Sequence, residues 1–285
     1  MQYLETTPHS LLPDGTGLAE VAGVLFSAGN PQRPDPVRSI GPWNTPYVHV
    51  DSRGEVMDTI AQIPERWAIL TVFSGNKKVV FPLVLGAESF VKAAFPIAAA
   101  AESFAAIMRD GRGVVIVDWP AETSNEVGTF RLRLIDPSGD SLFARTFEYV
   151  PVATPEETTE RIAQRLDQSR PNGPGASAIA SSLRESGLIP GRLPPVSALS
   201  VAQDGSVWLR RENTLGDSIL WNVFGDRDHP IAAIRLPAGD SVIAARDDVV
   251  IALARDELDV PYLTRYRLNH SFPRKASTGS DSIGR

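Results

Sequence analysis

Apolar and polar positions alternate in short runs along most of this chain, with turn residues between runs roughly every ten residues. Tyr47-Val48-His49-Val50, Phe130 to Ile135 and Val207-Trp208-Leu209 are such runs, and Val114-Val115-Ile116-Val117 is apolar throughout. A period of two, or a short apolar run bounded by turns, marks a strand rather than a helix. The turns themselves recur in a fixed order. An Asp-Gly turn appears at Asp14-Gly15, Asp110-Gly111 and Asp204-Gly205, where glycine tolerates the positive φ of a tight two-residue hairpin. Each is followed by a hairpin with a four-residue turn, whose second strand ends at a proline. These turns are Asp51-Ser52-Arg53-Gly54 before Pro64, Asp136-Pro137-Ser138-Gly139 before Pro151, and Asp226-Arg227-Asp228-His229 before Pro237.

Two successive hairpins make a four-stranded antiparallel meander, the unit of a β-propeller blade. The Asp-Gly turns lie 96 and 94 residues apart and the second turns 85 and 90. These intervals exceed a typical blade, so each must carry an insertion or a second, degenerate blade. Trp67 to Leu85, with Gly75-Asn76 at its middle, reads as such a degenerate hairpin. The expected fold is therefore all-β: the paired order of the two turns favours an incomplete β-propeller of four-stranded antiparallel blades over residues 1–270, while turns every ten residues also suit a β-sandwich, the alternative. Its last blade holds three strands, Ser241 to Ala245, Val249 to Ala254 and Tyr262 to Leu268. That predicts an open arc with the Tyr262 to Leu268 edge unpaired.

One short helical insertion, residues 154–187, interrupts the strands. Thr154-Pro155-Glu156-Glu157 reads as a capping box, with Thr154 as cap, proline at the first helical position and Glu157 three residues on. Ile162 and Leu166 then share a helix face. The helix should span Pro155 to Gln168 and stop before Pro171, and a second should run from Ser177 to Ser186 and end at Gly187. The insertion is mostly polar, which places it on one rim of the domain.

Composition removes several function classes. The 285 residues carry 34 acidic and 28 basic side chains and no dense basic cluster, which argues against a nucleic-acid partner. Without cysteine there can be neither disulfides nor thiolate metal sites. The longest apolar candidate, Phe95 to Met108, is broken by Pro96, Glu102 and Ser103, so no membrane span is expected. Met1 to Glu5 lacks the charged and apolar regions of an export signal. Residues 271–285, rich in Ser, Gly, Lys and Arg, read as a disordered tail.

Chemistry-bearing motifs are sparse. None of His9, His49, His229 and His270 stands at metal-ligand spacing from another, and His49 reads as a strand residue with a satisfied ring. Ser74-Gly75-Asn76-Lys77 and Ser89-Phe90-Val91-Lys92 fit Ser-x-x-Lys, but the companion motifs of a nucleophilic serine are absent. Gly15-Thr16-Gly17 lacks the third glycine of a dinucleotide loop. Asp256-Glu257-Leu258-Asp259 could offer oxygen ligands to a hard cation, yet lacks calcium-loop spacing and reads as a solvated loop. Trp43, Trp67, Trp119, Trp208 and Trp221 read as space-fillers between sheets rather than a sugar platform. No catalytic, metal or cofactor-binding residue is assigned.

The segment Leu220 to Leu268 carries a family likeness. Trp221, the Arg235-Leu236-Pro237 step and Arg255 to Val260 before the terminal Tyr-Arg-Leu resemble the closing part of bacterial six-bladed, loosely NHL-like β-propeller proteins. Tyr47 to Ile60, Val196 to Arg211 and the Thr154 insertion look like further parts of the same pattern. The resemblance implies a non-catalytic binding or scaffold protein with a protein or small-molecule ligand. Its alternative is a lactonase-like hydrolase with a divalent cation over the central channel, for which Asp256, Glu257 and Asn222 would be the ligands on offer. The chain is short for six blades. The expectation is therefore a C-terminal portion lacking early blades, and periplasmic or extracellular if an export signal precedes it.

Overall fold

A computed structural model describes residues 5–12, 15–22, 37–74, 77–85, 95–96, 103–120, 126–170, 173–211, 218–225, 230–237, 240–246, 249–256 and 260–268. The expected tail, His229 and His270, Ser89 to Lys92 and the Asp226 turn lie outside these residues. The chain is mostly strand, in antiparallel sheets that follow one another along the sequence. The first sheet holds β1 (Glu5–Leu11), β2 (Gly17–Ala22), β3 (Val37–Val50), β4 (Val56–Ser74), β5 (Lys77–Leu85) and β6 (Phe95–Pro96). The second holds β7 (Ser103–Ile107), β8 (Val114–Asp118), β9 (Gly128–Ile135) and β10 (Ser141–Tyr149). Two helices follow, α1 (Glu156–Gln168) and α2 (Ala176–Ser186). The third sheet holds β11 (Ala198–Val201), β12 (Val207–Arg211), β13 (Ser218–Phe224) and β14 (Pro230–Pro237). The last holds β15 (Ser241–Arg246), β16 (Val249–Arg255) and β17 (Pro261–Arg267). Within each sheet the strands are ordered as in the chain, and all neighbours are antiparallel except β5 and β6.

The two turn patterns share one backbone geometry. In the Asp-Gly turns the glycine is the last residue of a four-residue turn, not half of a two-residue loop. Gly15 N–H donates to Leu12 O, Gly111 to Met108 O and Gly205 to Ala202 O. Gly54 donates to Asp51 O and Gly139 to Asp136 O in the same way. Each glycine then takes positive φ, the type I turn followed by a bulge that suits the twist of a hairpin. What differs is the position of the aspartate. At the first position Asp51 Oδ1 accepts from the Arg53 and Glu55 amides, and Asp136 Oδ1 from those of Ser138 and Asp140. At the third position Asp204 Oδ1 accepts from the Ser206 amide and hydroxyl.

The second and third sheets are the four-stranded meanders the repeat implies, but the first is a correction. β4 runs straight through Pro64, which pairs with Asn44, and β5 then adds to its far half. Register shifts at Ile40/Trp43, Tyr47/Val48 and His49/Val50 let these long strands bend. The Trp67 to Leu85 hairpin is therefore no separate blade; it extends the first sheet.

Burial explains why the extension is stable. Ala68, Leu70 and Val72 on β4 and Phe81 and Leu83 on β5 pack against Ala163 and Leu166 of α1 and Ile179, Ala180 and Leu183 of α2. The insertion is thus not polar on every side. Its apolar face forms a core with a sheet some ninety residues earlier in the chain. The capping box is also corrected. Pro155 is the N-cap, with no side-chain cap, and the Thr154 hydroxyl instead donates to Pro190 O at 2.7 Å. Gly187 ends α2 in the left-handed conformation, as expected.

Between sheets the cores are apolar and layered. β8 sends Val114 and Ile116 toward Leu18, Tyr47 and Ile63 of the first sheet, and Val115 and Val117 toward Val207 and Leu209 of the third. β12 and β13 repeat the device, with Leu209 and Phe224 facing the second sheet and Trp208, Trp221 and Val223 facing the last. β4 lies against β7, β7 against β11, and β11 against β15, so the leading strands of the last three sheets form a series. The described strands form no closed barrel or ring; β1 pairs with β2, and β17 with β16.

Candidate functional site

The residues singled out in the sequence are mostly structural. His49 is paired in β3, and its Nε2 lies 2.7 Å from the Thr16 hydroxyl. Ser74 and Lys77 are register partners at the end of the β4–β5 hairpin, and Gly15-Thr16-Gly17 closes a hairpin rather than opening a helix. Asp256 caps its own turn: its N–H donates to Val260 O, and its Oδ1 accepts the Val260 amide at 2.9 Å. That is the role of Asp51 and Asp136 over again. Glu257 and Asp259 lie outside the described residues. Asn222 sits in mid-sheet between Leu209 and Ala233, on a different sheet from Asp256. Among the described residues, no three His, Asp or Glu side chains gather as a metal group would require. Trp119, Trp208 and Trp221 are buried between sheets, Trp119 with its ring 5.6 Å from that of Phe104.

Sequence reading passed over a cationic and aromatic cluster between the second and third sheets. In β10 the alternation Phe143, Arg145, Phe147, Tyr149 puts all four on the face toward the third sheet. Phe147 stacks on Phe130 of β9 at 5.3 Å and meets Phe224 of β13 edge-on at 5.3 Å. The Tyr149 ring lies over Gly128, where any Cβ would overlap it. From the facing sheet the Arg211 guanidinium lies 5.0 Å over Phe130, and the Arg145 guanidinium lies 5.6 Å over Phe147. Register carries Arg211, Leu220 and Arg235 across β12, β13 and β14 on this same face, with Asn222 one pair further in.

Arg211 is only half exposed to water. Burial pushes its guanidinium below the ordinary arginine range, and the nearby Tyr149 opposes that shift. Its Nε is buried without a hydrogen-bond partner. A ring face satisfies the charge of a guanidinium but not its in-plane N–H groups. The signal was readable: Phe-x-Arg-x-Phe-x-Tyr at strand period, and two adjacent arginines, Arg210 and Arg211, ending a buried strand.

A second polar contact ties the last strand down. The Tyr266 hydroxyl donates to Asp240 Oδ2 at 2.5 Å, and Asp240 is buried in the turn before β15. This bond, reinforced by burial and the carboxylate charge, raises the Tyr266 phenol to about 12. No family model, curated protein or solved structure matches this chain.

Proposed function

We propose that this chain is a propeller-type binding module, the non-catalytic reading implied by the NHL-like resemblance, and that its ligand presents a planar anion to the arginines where the second and third sheets face each other. The observation that carries this reading is the half-buried Arg211, stacked on Phe130 with its Nε unpartnered. Arg145 and Arg235 add positive charge on the same face, and Asn222 and Tyr149 add polar groups among apolar rings. A few placed polar groups in an apolar setting are what a small-ligand site requires. The serial contact of β7, β11 and β15 supports the propeller geometry, in which clefts between sheets widen outward.

Calorimetric titration of the whole chain with benzoate and with phenyl phosphate tests this. Both share a ring and an anion, and their relative affinity separates carboxylate from phosphate recognition. Binding should weaken at least about tenfold in Arg211→Met, and should also fall in Arg211→Lys, because an ammonium lacks the planar fork. Equal binding by wild type and Arg211→Met, or no binding of either probe at millimolar concentration, overturns the reading.

A further inference from the structure

We propose that the β17 edge is a docking site for an acidic segment of another protein, which adds to the last sheet as an extended, antiparallel fourth strand. The second and third sheets have four strands, whereas the last has three, and the position beside β17 is open among the described residues. The outer strands of the four-stranded sheets are blunted as edges. β10 has a register shift at Ser141/Phe143, and β14 has one facing Val223/Phe224 and a proline at each end. Bulges and prolines are how sheets discourage added strands. β17 has a proline only at its start, and its register with β16 runs unbroken from Pro261 to Arg267. Such an edge offers a row of backbone N–H and C=O groups, from which strand addition draws its affinity.

Charge selects the occupant. β17 contains Arg265 and Arg267, both exposed, and no acidic residue. β16 places no Asp or Glu opposite it anywhere in their register. A second copy of β17 would gather like charge at this edge, which destabilises a strand pair, whereas an acidic strand brings the opposite charge. Leu263, Arg265 and Arg267 share one face by the period of two, beside the half-buried Leu253, Ile251 and Val249 of β16. Leu263 is 66% exposed, so an apolar side chain set opposite it covers surface that now faces water. The Tyr266–Asp240 bond holds β17 in place, so little ordering is required of it on docking.

The alternation also fixes what the partner strand carries. Both existing pairs of the last sheet are antiparallel, and a further antiparallel strand starts opposite Arg267 and runs toward Pro261. It requires an acidic residue opposite Arg267, a second opposite Arg265 and an apolar residue opposite Leu263. Read from its N-terminus the pattern is Glu-x-Glu-x-Val, with the intervening residues opposite Tyr266 and Thr264.

Fluorescence anisotropy of a labelled Thr-Glu-Thr-Glu-Thr-Val-Thr peptide, titrated with the whole chain, tests this. Saturable binding is expected with a Kd of about 100 µM, as suits a small interface. Replacing both glutamates of the peptide by lysine should weaken it at least about tenfold. Arg265→Glu with Arg267→Glu should reverse the preference, so that the lysine peptide binds better than the glutamate one, and Arg265→Glu alone should narrow it. Arg53→Glu, in an exposed turn of the first sheet, should change neither affinity. Unchanged near-ultraviolet circular dichroism will show that the variants are folded. In the wild type, the glutamate peptide should slow hydrogen exchange of the β17 amides. The proposal is overturned by equal binding of the two peptides, by a preference that the double variant does not reverse, or by β17 amides that the peptide leaves unprotected. It is overturned as well if those amides are already protected without peptide. Protection in a monomer would mean that the chain covers its own edge, and protection that grows with protein concentration would mean that a second copy does.

Discussion

The central strands of the second sheet and of the last open on the same three residues and are buried differently. β8 reads Val-Val-Ile-Val-Asp and β16 opens Val-Val-Ile-Ala-Leu. Both are central strands with neighbours on either side. In β8 both faces are buried, against the first sheet and the third. In β16, Val250, Ala252 and Ala254 are buried, while Val249, Ile251 and Leu253 are only half-buried. A continuous apolar run therefore states that both faces are fit for burial, not that both are covered. Coverage depends on whether a further sheet stands alongside.

The largest effect that could break this comparison comes from a matched pair of truncations. Ile116→Ala in β8 removes a fully buried side chain and should cost about 3 kcal/mol in urea unfolding, whereas Ile251→Ala should cost about 1 kcal/mol. Equal losses would mean that the outer face of the last sheet is covered. Next in size is Tyr266→Phe, which strips the buried Asp240 carboxylate of its phenolic donor and should cost about 1–3 kcal/mol. The same pair has a pH signature. The folded phenol, at about 12, ionises above its unfolded value of 10.0, so its contribution is fully present below about pH 10 and is lost as pH rises toward 12. Wild type minus Tyr266→Phe should therefore shrink across that window in thermal melts at matched pH; a difference that stays constant through it would refute the linkage. The smallest expected effect is that of calcium. With Asp256 engaged in its own turn, millimolar Ca²⁺ should move the melting temperature by less than about 1 °C against a chelator control. A rise of several degrees would favour the cation-dependent hydrolase expectation instead.

Some of these contrasts were open to sequence reading because they rest on local chemistry. Pro155, the first-turn acids Glu156 and Glu157, and Gly187 placed both helices to within a residue or two. The recurring Asp and Gly positions marked hairpins that the structure forms. Local reading went astray where a group had two partners within reach. Thr154 had the chemistry of a helix cap, but the Pro190 carbonyl, brought close by the chain folding back after α2, took its hydroxyl.

By itself, then, the sequence determined most of the strands, the positions of the turns, the two helices and the alternation that makes each strand two-faced. These follow from φ/ψ preferences, side-chain hydrogen bonds to nearby amides and the period of two along an extended chain. Only the tertiary structure decided which face meets which. It laid the helices on β4 and β5, brought Arg211 over Phe130, and left Leu263 facing water. The reason is that apolar burial is non-directional. An exposed strand face gains about as much from any apolar partner of matching shape, so the choice among partners rests on the packing of the whole chain rather than on any one segment.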